Sequence, residues 1–314
     1  MLKYFLARIV YSVILLFGVL FLVFVLLHIS GDPTTLLVSR HASPAEIEAL
    51  RTELGFDRPL MVQFGDFLKG AVQGDFGPSF RYRQPAMQLV LQRLPGTIEL
   101  ATTALLMAII LGVTIGILGG SNPNTILDSL ARGLGLLGQT IPAFWLGMIL
   151  IIVFALNLGW FPTYGRETFT FLGLTLPNKS IVLPAFALSL FTTGQLARFT
   201  RSAVLEVMNE EYITTAYSKG LHKIRIYMRY IVKNSAIPLI SIIGVQFGYL
   251  LSGSIYIETI FAWPGLGSLL VDAIYTRDFF LVQATALFTS TVVIVLHFVS
   301  DILYALVDPR IRYR

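Results

Sequence analysis

Six blocks of apolar residues, separated by polar stretches, run along the chain at about 9–29, 97–119, 133–157, 180–197, 236–256 and 281–307. A helix rises about 1.5 Å per residue, so roughly 20 apolar residues cross the hydrocarbon core of a bilayer. Each block is therefore read as a membrane span. The first carries no charge after Arg8 and is too long for the core of a signal peptide. No small-x-small cleavage site follows it, so it is expected to be retained. The fourth is the shortest and holds Pro184 and Gln195. Pro142 and Pro238 also sit in or near spans, where neighbouring helices can satisfy the carbonyls that proline frees. The expected fold is all-α and polytopic, with six transmembrane helices in one membrane domain, 1–314.

Composition agrees. Charged residues make up 13% of the chain and apolar residues 55%, with a mean hydropathy of +0.74. A soluble domain carries about 25% charged residues, so lipid must supply much of this chain's surroundings. Cysteine is absent, which excludes disulfides and thiolate chemistry. The net charge of +5 could suggest a nucleic-acid partner until the charges are placed. With both termini inside the cell, the internal segments hold 13 of the basic residues. The external side holds 10, of which seven lie in one loop balanced by seven acids. Long loops count little in the positive-inside rule. The basic excess is thus a topology signal for termini inside, spread along membrane edges, and no nucleic-acid partner is expected.

Two polar segments exceed what a connector needs. The external one, 30–96, contains Ser43 and Glu46 in capping-box spacing, which predicts a short helix ending near Gly55. It reads either as a solvated cap or, given its length, as a docking surface for an external partner. The internal one, 198–235, carries Arg225, Arg229 and Lys233 at helical spacing, a pattern that also suits snorkelling into lipid headgroups. At its centre, Glu211-Tyr-Ile-Thr-Thr-Ala-Tyr-Ser-Lys-Gly-Leu221 predicts a helix, a glycine stop at Gly220 in left-handed conformation, and a second helix. That is a compact knob suited to a partner's groove.

Glu211 to Leu221, followed by Asn234-Ser-Ala-Ile-Pro-Leu239, resembles the cytoplasmic signature loop of importer permeases of the ATP-binding-cassette superfamily. More narrowly, the chain is similar to the dipeptide, oligopeptide and nickel permease family. Further matches follow in order: Arg93-Leu-Pro-Gly-Thr97, Gly138-Gln-Thr-Ile-Pro-Ala-Phe-Trp145, Glu258-Thr-Ile-Phe-Ala-Trp-Pro-Gly-Leu-Gly267, Arg277-Asp278 and Asp308-Pro-Arg-Ile-Arg312. One departure is visible. The superfamily loop has Glu-Ala-Ala before its glycine, where this chain has Thr214, Thr215 and Ala216.

The resemblance implies a type I importer fold and a machine of several chains. Two related permeases form the pore, and two ATP-binding subunits sit below. A periplasmic or lipid-anchored binding protein delivers the cargo across the inner membrane's outer face. ATP and magnesium belong to the ATP-binding subunits, and no cofactor is implied for this chain. The resemblance makes 198–235 the coupling loop, with Glu211, Tyr212, Thr215, Ala216, Gly220 and Leu221 as its docking element. It turns the first external region and the loop around Pro264 and Gly265 toward the binding protein.

Absent motifs point the same way. ATP hydrolysis needs a phosphate-cradling loop ending in Gly-Lys-[Ser/Thr], and the chain has no Gly-Lys dipeptide. Ion-coupled transporters keep ionisable groups at mid-membrane depth. Here Glu99, Glu258 and Asp301 lie toward span ends, and His297 is the one histidine well inside a span after the first. An intramembrane hydrolase would need a nucleophile with its base, or a metal motif. The chain has no H-E-x-x-H, its four histidines are scattered, and Ser252-Gly253 lacks a glycine two residues before the serine. Polar span residues tend to face the bundle interior, which makes Gln139, Gln246 and Ser252 candidates for the translocation path, with Thr140, Gln195 and Ser254 beside them. Gln246, between Gly244 and Gly248, equally suits an interhelical hydrogen bond.

Overall fold

Every apolar block of the sequence is helical in the computed structural model, which describes residues 2–29, 34, 43–53, 55–171 and 174–307. The helices are α1 (Leu2–Ile29), α2 (Pro44–Glu53), α3 (Leu60–Gln73), α4 (Ala86–Ser121), α5 (Ile126–Thr140) and α6 (Ala143–Leu150). There follow α7 (Val182–Met208), α8 (Glu211–Ser218), α9 (Lys223–Ile226), α10 (Lys233–Ile260), α11 (Leu266–Tyr275) and α12 (Phe279–Val307). Among the described residues, four stretches are long and apolar enough to cross a membrane: Arg8–Ile29, Ala86–Ser121, Lys179–Met208 and Phe279–Val299. The block at 236–256 lies within the 28 residues of α10.

The block at 133–157 departs from a straight span. α5 and α6 meet at a bend of 100°. Pro142 has no backbone N–H and crowds the residue before it, and Ile141 is accordingly extended at φ −78° and ψ 121°. The helix then continues through a π-helical turn, Ile151–Asn157. Strands also occur where only helices were expected. Thr168–Phe171 and Leu174–Pro177 pair antiparallel, Phe171 opposite Leu174. The alternating Thr-Phe-Thr-Phe run is a strand pattern.

The chain divides into two compact units. The first comprises Met1–Gly96 and Pro264–Val295. Its core joins Leu20 of α1, Val90 of α4, Leu266 and Ala273 of α11, and Leu281 and Leu287 of α12. Phe64 of α3 meets Phe17, Phe21 and Phe24 of α1 with ring centroids 5.1–5.7 Å apart. The expected capping box forms in both directions: Ser43 N–H donates to Glu46 Oε2 at 2.7 Å, and Glu46 N–H to Ser43 Oγ at 3.3 Å. Residues 30–33, 35–42 and 54 of the long polar segment, and the closing motif within 308–314, lie outside the described residues.

The second unit is built mainly from Thr97–Trp263. α7 is the most enclosed of the candidate spans among the described residues, and glycine is what lets α4 approach it. A Cβ at Gly112 would lie 2.8 Å from Leu196 Cβ, one at Gly116 2.5 Å from Thr200 Cβ, and one at Gly120 2.8 Å from Val204 Cβ. This four-residue spacing of small residues is a helix-packing signature in membranes.

Candidate functional site

The segment between α7 and α10 folds into a small helical knob. α7 runs on to Met208, so Arg198 and Arg201 extend the span helix rather than open a loop. Glu210 is extended, and α8 starts at Glu211. Its end is a complete Schellman motif: Gly220 N–H donates to Tyr217 O at 2.9 Å, and Leu221 N–H to Ala216 O at 3.3 Å. Gly220 has φ +71°, the left-handed conformation that the sequence predicted. His222 Nδ1 then accepts from Ile224 N–H at 3.4 Å to open α9, which passes through a π-helical turn, Tyr227–Val232, into α10.

The knob has its own apolar centre. Ile213 and Ala216 of α8 pack with Val204, Ile226 and Ile231, and Leu221 lies against them. The residues on the other faces of α8 are turned out. Glu211, Tyr212, Thr215, Tyr217 and Gly220 are exposed, whereas Ala216 is buried and Leu221 half-buried. Four of the six residues expected to dock are thus on the surface, and the other two support it from beneath. Asn234 at the start of α10 donates to Tyr212 Oη at 3.1 Å, and Tyr227 OH to the Ser121 carbonyl at 3.3 Å, so side chains tie the knob to α10 and α4. Beside it, an open hollow of about 700 Å³ is lined by Glu206, Asn209, Glu210, Glu211 and Tyr212.

An ion pair absent from the sequence reading braces the same end of the second unit. Asp128, fully buried, accepts from Arg201 Nε, from Arg201 Nη2 at 3.0 Å and from Asn124 N–H at 3.1 Å. Arg132 lies 3.4 Å away, one turn along α5. The sequence signal was Thr125, whose hydroxyl accepts from Asp128 N–H and marks a helix start; the partner across the fold had none.

The path candidates lie on two helices, Gln139 on α5 and both Gln246 and Ser252 on α10. Gln246 is buried on α10, donates to Gln195 Oε1 at 2.5 Å and accepts from Thr192 Oγ1 at 3.5 Å, both on α7. Gln139 donates to Gly135 O of its own helix at 2.9 Å. The exposed Ser252 hydroxyl bonds carbonyls of its own helix, Gly248 and Tyr249. Near the end of α10, the buried Glu258 carboxylate accepts from Thr97 Oγ1 at 2.7 Å and Ser254 Oγ at 2.9 Å.

In the first unit, Pro264 is half-buried and Gly265 buried, and Gly265 N–H donates to Ser268 Oγ at 3.1 Å. The turn holding Ser79 is fastened to the α11–α12 corner. Asp278 accepts from Ser79 Oγ at 2.5 Å, Arg81 N–H at 3.2 Å and Leu281 N–H at 3.2 Å, the last capping α12. Asp272 receives Arg81 Nη1 and Tyr82 OH, both at 2.9 Å. Burial pushes the Tyr82 phenol above its usual pKa, and the hydrogen bond to Asp272 raises it further.

These features define a multi-pass helical membrane protein whose polar loops are folded and fastened. Comparison with known proteins gives the family. Residues 112–313 match the model of the binding-protein-dependent transport system inner membrane component, and residues 1–101 match its N-terminal counterpart. The chain belongs to this family, the membrane permease subunits of binding-protein-dependent ATP-binding-cassette importers. It is 41% identical over 286 residues to a putative peptide transport system permease protein of Brucella abortus (strain 2308), covering 90% of each chain. It is 38% identical to the glutathione transport system permease protein GsiC of Escherichia coli (strain K12), covering 100% of each chain. In fold it is similar to a subunit of the MetNI methionine ABC transporter, with TM-score 0.53, 17% identity, and coverage of 71% of this chain and 97% of that one. An amino acid ABC transporter crystallised with histidines gives TM-score 0.52 at 14% identity, covering 69% and 92%.

Proposed function

We propose that the chain is one of two channel-forming subunits of an ATP-driven importer of di- or oligopeptides, with six spans in one membrane domain and both termini in the cytoplasm. A second, homologous permease completes the pore in the cytoplasmic membrane. Two ATP-binding subunits hydrolyse ATP with magnesium, and a periplasmic or lipid-anchored binding protein presents the cargo. The α8 knob carries this reading: it is capped, backed by its own core, and turns Glu211, Tyr212 and Thr215 outward. Ala216 and Leu221 set its shape from within, and Gly220 lets the chain turn out of it. The segment 30–96 and the corner after Pro264 and Gly265 face the binding protein. Gln139, Gln246 and Ser252 border the path.

Peptide cargo is favoured by the permease of Brucella abortus, named for peptide transport. The full-length match to a glutathione permease favours a second reading, glutathione itself, which is a small peptide. A metal chelate such as nickel, or an oligosaccharide, would use the same machine. Mass spectrometry of ligand co-purifying with the cognate binding protein tests the cargo. Short peptides or glutathione support the proposal; a sugar or a metal chelate as the sole ligand contradicts it.

A further inference from the structure

The first unit holds a cavity that the transport reading leaves without a role. Its volume is about 320 Å³, and its walls include Phe24, Phe56, Phe67, Phe76 and Phe280. Phe24 and Phe67 stack at 6.2 Å between centroids and Phe67 meets Phe76 at 6.3 Å, while Phe56 and Phe280 stack at 6.5 Å; the His28 ring, also in the lining, joins the two groups, 4.0 Å from Phe24 and 6.4 Å from Phe56. Gln283 of α12 also lines the space and is only 6% exposed. Gln63 lines the same cavity, and its amide donates to Phe56 O at 3.2 Å and Arg58 O at 2.7 Å. An apolar pocket with a few convergent polar groups is the usual form of a small-molecule site.

The charge around the cavity selects the ligand. Glu53, Asp66 and Asp75 are exposed lining residues, as is Arg58, which is held by Asp66 at 3.2 Å. Three carboxylates against one paired guanidinium leave the mouth negative. Aromatic faces attract cations as well. We propose that this cavity binds a small organic ammonium with an apolar body. The aromatic rings enclose the ligand, Gln283 Oε1 accepts from its N–H, and the rim carboxylates balance its charge. The site lies within the first unit and depends on neither the cargo nor the coupling knob.

Calorimetric titration of the full-length protein in nanodiscs with phenethylammonium tests this. The expected result is saturable binding at one site per chain, at least tenfold tighter than that of 2-phenylethanol and with phenylacetate not bound. Gln283→Leu should weaken the ammonium at least tenfold, and Gln283→Glu should tighten it. If Gln283→Leu does not fold, Phe56→Ala, which removes one wall, serves in its place with the same expected weakening. Absence of saturable binding to the unaltered protein would overturn the proposal. So would equal affinity for the neutral alcohol, or an affinity unmoved by loss of the Gln283 amide or the Phe56 ring.

Discussion

Gly220 shows how much one residue can hold in place. Its φ of +71° lies where a side chain costs about 1 kcal/mol of backbone strain, yet a Cβ there would meet nothing within 4 Å. Gly220→Ala therefore adds strain without a clash in this chain, and should leave uptake reduced but measurable. Gly220→Leu places bulk on the surface proposed to meet the ATP-binding subunit. It should leave membrane levels near normal while lowering uptake per ATP hydrolysed, read together in proteoliposomes. Full, tightly coupled uptake in the leucine variant would make the knob a mere connector. Gln246 poses a different question at the same scale. Its amide spans α10 and α7, and an interhelical hydrogen bond of this kind is worth roughly 1 kcal/mol. Gln246→Leu should lower the thermal midpoint slightly if packing is its whole role. A fall in uptake at unchanged midpoint would instead assign it to the path.

At the scale of elements, two contacts govern how the second unit packs. Gly116 faces Thr200 and Ala197 so closely that Gly116→Leu cannot be accommodated without moving α4 from α7. Overpacking of this kind costs about 1–3 kcal/mol, and should appear as a lower thermal midpoint in detergent. The Asp128–Arg201 pair acts across α5 and α7. Removing one partner of a buried pair costs about 3–5 kcal/mol, because the other charge is left uncompensated. Asp128→Leu should therefore destabilise strongly, and adding Arg201→Leu should recover part of the loss. No recovery in the double variant would mean that the pair is not the source of the effect.

The sequence made the helices legible because their apolar blocks are long, and local chemistry made two of the turns legible. Ser43 with Glu46, and Gly220 with Leu221, act over a few residues, so spacing alone revealed them. The bend at Ile141 was less legible, because a proline in a span either kinks a helix or is absorbed, and packing decides which. Asp128 and Arg201 are 73 positions apart, and nothing local links them. The row of Gly112, Gly116 and Gly120 was not read as a packing face, because nothing local says which helix it meets.

For the molecule as a whole, the proposed division of labour separates delivery, passage and energy among different chains. Replacing residues 30–96 with a short Gly/Ser linker should abolish stimulation of ATP hydrolysis by the binding protein. The four-subunit membrane complex should still assemble, as size-exclusion chromatography of the purified membranes would show. Normal stimulation after that replacement would remove the segment from docking. The most direct measurement of the central claim is reconstitution of this chain with its partner permease and both ATP-binding subunits in proteoliposomes. Uptake of a labelled peptide is followed with binding protein and ATP supplied in turn. The account predicts uptake only when all components, binding protein and ATP are present together. Uptake by this chain alone, or driven by an ion gradient without ATP, would contradict it.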